Sequence, residues 1–273
     1  MEDLSADAAG PGSALRAYGV AELALARESL GLRGRQAHEG IHQARKSIRR
    51  VRAMLALCGK TLGPGGGLVD RQLRRLNRQL SPLRDAHALV ETLDRLGLKP
   101  RNAQAREALA TARKIAARRC AALARQADFV RALGEAEAVV AMLQAALHGL
   151  PWADVTVPAL VDAMDAAARK AKRMRQHALA HDDAEDWHRW RRSMRRLSQQ
   201  QRAAGAAGLP LQPDEFDKHL TEQLGVMQDL SLLIAHCGDG SPFPRATRVV
   251  LRHFAERSLA RQRKRIRSVM PCS

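Results

Sequence analysis

Aromatic residues are scarce in this chain: three Trp, one Tyr and four Phe make up 3% of its 273 residues. They are too few to capture single-stranded nucleic acid by stacking a base on each of several rings. Cysteine is scarce as well. Cys58, Cys120, Cys237 and Cys272 lie far apart and form no CxxC pair, which speaks against a zinc site or a disulfide framework and for reduced thiols. β-Branched residues never alternate over a strand's length. No run approaches the ~20 apolar residues that span a bilayer. The opening MEDLSADAAGPGS lacks the basic and apolar regions of a secretory signal, so a cytoplasmic protein with no membrane partner is expected. Acid is the last shortage: 28 Asp and Glu stand against 46 Lys and Arg, a formal charge of +18. That excess is more than solubility needs and points to a polyanionic partner.

Ala, Leu, Arg, Gln and Glu, all good helix formers, supply most of the rest. An all-α chain follows, with helices expected near 14–32, 38–59, 68–96, 102–127, 129–148, 156–180, 184–204, 213–237 and 243–268, separated by Gly- and Pro-rich breaks. Pro82 is expected to kink the third of these helices. The GPGGG at Gly63–Gly67 reads as an interhelix turn, since no GK[ST] follows to make it a phosphate loop.

One pattern occurs twice. HQARKSIRR (His42–Arg50) and HRWRRSMRR (His188–Arg196) share HxxR[KR]xxRR at an offset of 146 residues, and LSPLRD (Leu80–Asp85) and LGVMQD (Leu224–Asp229) follow them at an offset of 144. Two homologous halves, 14–128 and 156–268, are the economical reading, with a connector at 129–155 and tails at 1–13 and 269–273. On a helical wheel advancing about 100° per residue, His42, Arg45, Lys46, Arg49 and Arg50 cover an arc of roughly 140°. Ile41, Ala44, Ile48 and Val51 take the opposite side. In the second copy, Trp187, Trp190, Met194 and Leu197 are apolar opposite His188, Arg191, Arg192, Arg195 and Arg196.

Four cations within two turns repel one another at i,i+4 by about 0.2–0.5 kcal/mol per pair, and the stripe carries no acid of its own. An anion is expected on that face, with Asp85 and Asp229 each pinning one arginine. Arginine forks suit phosphate oxygens and stay charged at any ordinary pH. The row extends over roughly 12 Å at 1.5 Å rise per residue, which suits a chain of phosphates better than a single one. Arg71, Arg74, Arg75 and Arg78, then Arg169, Lys170, Lys172, Arg173 and Arg175, are candidates to extend the track, as are Lys218 and the terminal Arg261, Arg263, Lys264, Arg265 and Arg267.

At these motifs the chain resembles the CHAD family, the conserved histidine α-helical domain, over about residues 14–268. The resemblance implies two four-helix bundles related by a pseudo-two-fold axis, with a basic groove or pore between them. It also implies binding of inorganic polyphosphate, in some members on polyphosphate granules. By motif position, the implied ligands are His42, Arg45, Lys46, Arg49 and Arg50 with His188, Arg191, Arg192, Arg195 and Arg196. Gln228 stands where the first copy has Arg84, a departure that makes the halves unequal. Many relatives also carry a triphosphate-tunnel domain, for which this length leaves no room, so no catalytic residue and no cofactor are expected.

Two rival functions remain. A general nucleic-acid binder would also present ordered phosphates to arginine helices, but no reading module such as a helix-turn-helix is recognisable. A polyphosphate-processing enzyme would need acidic residues to hold Mg²⁺, and the motifs offer none nearby. Metal ligation by His42 or His188 is disfavoured by the surrounding cations. His177 and His181, at i,i+4 and followed by Asp182 and Asp183, have metal-ligand spacing, but a helix end with an acidic N-cap turn explains them as well.

Overall fold

A computed structural model describes residues 10–97, 103–210 and 218–269, the side chains of Arg35 and Lys218 excepted. The expected breaks at 97–102 and 205–213, and both tails, lie partly or wholly outside these residues. Among the described residues there is no strand, and the all-α expectation holds. The helices are α1 (Pro11–Leu30), α2 (Ala37–Cys58), α3 (Gly63–Gln79), α4 (Ser81–Gly97), α5 (Ala103–Ala124), α6 (Ala127–His148), α7 (Val157–His181), α8 (Ala184–Ala206), α9 (Lys218–His236) and α10 (Arg245–Val269).

Three details differ from the sequence reading. The expected helix 68–96 is two helices, because the chain breaks at Leu80 and restarts at Ser81. Pro82 therefore sits in the first turn of α4, where a missing N–H costs nothing, and does not kink a longer rod. GPGGG is not a free turn either: Gly63, at φ +61°, turns the chain, and Pro64 starts α3 with its φ already set. Finally, α1 begins at Pro11, inside the expected 1–13 tail.

The chain forms two compact units, each drawn from separate stretches. One takes the residues up to Leu80, Ala132–Lys170 and the stretch from Arg196 to 214; the other takes Ser81–Arg131, Ala171–Arg195 and everything after 214.

In the first unit α1 packs on α2. Gly40 permits the approach, since a Cβ there would lie 2.1 Å from the Ser29 carbonyl oxygen. Part of the expected connector is core: Leu133, Ala136, Val140, Leu143 and Leu147 of α6 are buried. Beyond α6, Trp152 is buried too and donates from Nε1 to the Leu147 carbonyl at 2.6 Å.

The second unit has its own core, where Leu89 and Leu93 of α4, Leu109 and Ala112 of α5, Leu230 and Leu233 of α9 and Leu251 of α10 are buried together. Within it α7 ends at His181, the next residue, Asp182, is left-handed at φ +56°, and α8 begins under an Asp183 cap. The Asp183 Oδ2 accepts from the backbone N–H of Glu185 at 2.9 Å and of Asp186 at 3.3 Å, satisfying two of the orphan donors of the first turn. His177 and His181 stack at 5.5 Å at that helix end.

Candidate functional site

The apolar stripe of α2 is fully inside: Ile41, Ala44, Ile48 and Val51 are buried. Burying that stripe fixes the rotation of the helix, so the opposite row is held at the surface. His42, Arg45, Lys46, Arg49 and Arg50 are all half-buried.

The five do not do the same thing. Arg50 turns inward to Glu22 of α1 at 2.8 Å, with side chains only 11% and 10% exposed. Tyr18, one turn before Glu22, is pushed up to about 12, first by burial and then by the Glu22 carboxylate, against the lowering influence of Arg50 and Arg202. Arg45 donates to the carbonyl of Asn77 near the end of α3, which couples the row to that helix. Arg52, two residues beyond the row, pairs with Asp70 at 2.8 Å. Lys46 has no ion pair among the described residues. On α3, Arg74, Arg75 and Arg78 are exposed, and on α7 so are Arg169 and Arg173. Lys218 opens α9, but its side chain lies outside the described residues.

The second row is built the same way on α8. Trp187, Trp190, Met194 and Leu197 are buried, while His188, Arg191 and Arg195 are half-buried and Arg192 and Arg196 exposed. The His188 Nδ1 hydrogen-bonds to the Gln228 Oε1 of α9, so the residue that departs from the first copy orients the histidine here. Burial lowers the Arg191 guanidinium below its ordinary value and the Asp229 carboxylate works against that; it stays charged at neutral pH. Asp229 also forms an ion pair with Arg95 of α4 at 2.5 Å. Asp85 is exposed, and its charge acts on the half-buried His236.

The sequence reading missed the acids that meet these rows. Glu185 and Asp186, in the first turn of α8, hold Arg189 at 3.2 and 3.3 Å, and Glu185 reaches Arg192 at 3.5 Å. The i,i+4 spacing of Glu185 and Arg189 was a usable signal. Glu22 carried none, lying 28 residues from its partner. Arg263 was read as one of a terminal cluster. It donates instead to the Asp182 carbonyl at 3.0 Å and lies over the Trp187 ring at 6.0 Å, while Arg267 pairs with Asp182 at 3.0 Å.

An all-helical protein that carries the same histidine-led basic helix twice is thus defined by its sequence and its helices. The family model named CHAD domain matches residues 21–238, and the chain belongs to the CHAD family. That family is associated in general with polyphosphate binding. A similarity search of curated proteins finds no match. Among the described residues no helix is long and apolar enough to cross a membrane.

Proposed function

We propose that the protein binds inorganic polyphosphate through the basic rows of α2 and α8, with both rows engaging one phosphate polymer, and that the role is binding and not catalysis. The observation that carries this reading is the division of labour on both helices. Each buries a complete apolar stripe and keeps a histidine and most of its cations on the opposite side, with Arg50 turned inward to an acid. Lys46 and Arg196, without ion pairs among the described residues, are the cations most available to a ligand. Cytoplasmic polyphosphate granules are the proposed setting.

A second reading has one observation in its favour. Arg257, Arg261, Lys264 and Arg265 of α10 are exposed together, a stripe that suits non-specific nucleic acid.

Calorimetric titration with polyphosphates of defined length, with duplex DNA as competitor, separates the two. Affinity should rise with chain length, since each added contact is intramolecular, and fall steeply with salt as counterions are released. Long-chain polyphosphate should displace DNA at a large excess of DNA phosphate. A flat salt response, or DNA competing phosphate for phosphate, would sink the polyphosphate reading.

A further inference from the structure

The exposed side of α10 carries a row of cations that no acid meets among the described residues. Leu251, Ala255 and Ile266 of that helix are buried, which fixes its rotation. Arg257, Arg261, Lys264 and Arg265 are thereby held in solvent, and Ala260 is the one uncharged residue exposed among 257–265. Their spacing of i, i+4, i+7 and i+8 sets them on an arc of about 100° along roughly 12 Å of helix, the length of the row in each copy of the motif. No Asp or Glu follows Glu256 in the sequence, so nothing local relieves the repulsion along the row. Other exposed arginines of the same unit are matched: Arg113 with Asp94, Arg189 with Glu185 and Arg95 with Asp229.

The row points away from the basic row of α8, which belongs to the same compact unit up to Arg195. Arg263 is the α10 residue that meets the head of α8. Its guanidinium lies over the Trp187 ring, on the apolar side of that helix, and donates to the Asp182 carbonyl at 3.0 Å. On a wheel of about 100° per residue, the four exposed cations stand roughly 100° to 200° from Arg263. On α8, His188, Arg191, Arg192 and Arg195 lie opposite the stripe that holds Trp187. The contact between the helices therefore lies between the two cationic faces, and a chain laid along one face is not on the other.

Guanidinium forks and an ammonium in line suit phosphate oxygens. With alanine as the one uncharged exposed residue, the row has nothing to insert into a bilayer and no ring to stack on a base. Glu256 stands exposed on its flank, where the second strand of a duplex meets a like charge and a single narrow chain does not.

We propose that α10 is a second polyphosphate-binding face, so that one molecule holds one chain on its motif rows and another on α10, and joins the two. This face presupposes the polyphosphate binding proposed above and adds cross-linking to it. A polymer with many sites and a protein with two faces grow into a network, whereas a protein with one face only decorates the polymer.

Light scattering from the full chain with long-chain polyphosphate, paired with calorimetric titration by a short chain of defined length, tests the second face. The full chain should scatter strongly near charge equivalence and clear in excess polyphosphate, where each face takes its own chain. A variant with Arg257→Gln, Arg261→Gln, Lys264→Gln and Arg265→Gln should lose the scattering and take up one short chain fewer, while still binding at the motif rows. A matched variant with Lys114→Gln, Arg118→Gln, Arg119→Gln and Arg125→Gln, all exposed, removes as much charge and should keep both. An α10 variant that scatters like the full chain, equal losses in the two variants, or an unmodified chain that binds without scattering overturns the second face and leaves the polyphosphate reading standing. So does duplex DNA that displaces the extra short chain phosphate for phosphate, which makes α10 a nucleic-acid surface. An unmodified chain that binds no polyphosphate at all overturns the reading of the motif rows together with this one.

Discussion

Glu22 and Arg50 meet at 2.8 Å with about a tenth of each side chain exposed, which makes the last arginine of the first motif a brace between α1 and α2. Removing one partner of a pair so placed leaves a buried charge unmatched, at about 3 kcal/mol. Glu22→Gln and Arg50→Ala should therefore each lower the denaturation midpoint markedly. Lys46→Ala, at a half-buried position with no ion pair among the described residues, should change stability by less than ~0.5 kcal/mol and weaken polyphosphate binding instead. Equal loss of stability in all three would show that the row is uniform. The same neighbourhood sets an alkaline limit. Burial raises Cys58 from 9.0 to about 12, and burial with Glu22 raises Tyr18 from 10.0 to about 12. Below pH 9 both groups keep their protons whether the chain is folded or not. Above 9, and then above 10, the unfolded chain releases its protons first, so the stability these groups contribute falls as pH rises toward about 12. Denaturant titrations from pH 8 to 11 should show that decline, and Tyr18→Phe should flatten its upper part.

At the scale of the element, α2 and α8 follow from their sequences almost directly. The wheel that puts Ile41, Ala44, Ile48 and Val51 on one side, and Trp187, Trp190, Met194 and Leu197 on one side of the second copy, identifies the residues found buried. Helical periodicity is local, and a stripe of that kind has only one way to leave water. The kink expected at Pro82 is instead a helix start, because a proline in a long apolar pattern reads equally as a kink or as the first turn of a new helix. Trp190 is fully buried in the stripe of α8, so Trp190→Ala should cost about 3–5 kcal/mol. Asp183→Ala, which removes the cap, should cost about 1 kcal/mol. Thermal melts of the two variants rank them; a cap loss as large as the tryptophan loss would mean that α8 is held by its end and not by its packed face.

At the scale of the whole molecule, the repeat in the sequence and the compact units in space divide the chain differently. The first unit needs Ala132–Lys170 and residues 196–214 in addition to everything up to Leu80, and the second begins at Ser81 and takes up the chain again at Ala171 and after 214. A fragment ending at residue 128 holds parts of both units and all of neither. Expressed alone it should lack a cooperative thermal transition, and mixing it with a fragment from 129 onward should restore one. A cooperative melt of 1–128 by itself would show that the repeat is also the folding unit.

Periodicity, composition and the duplicated motif were enough to set the helical class, the faces of α2 and α8 and the family, because each is read along the sequence without knowing which helices meet in space. Tertiary structure alone decided which cations are matched by acids distant in the chain. Glu22 with Arg50, Asp182 with Arg263 and Arg95 with Asp229 are separated by 28, 81 and 134 residues. A charge pair at such a distance leaves no period in the sequence; it exists only once packed helices bring the two side chains to the same place.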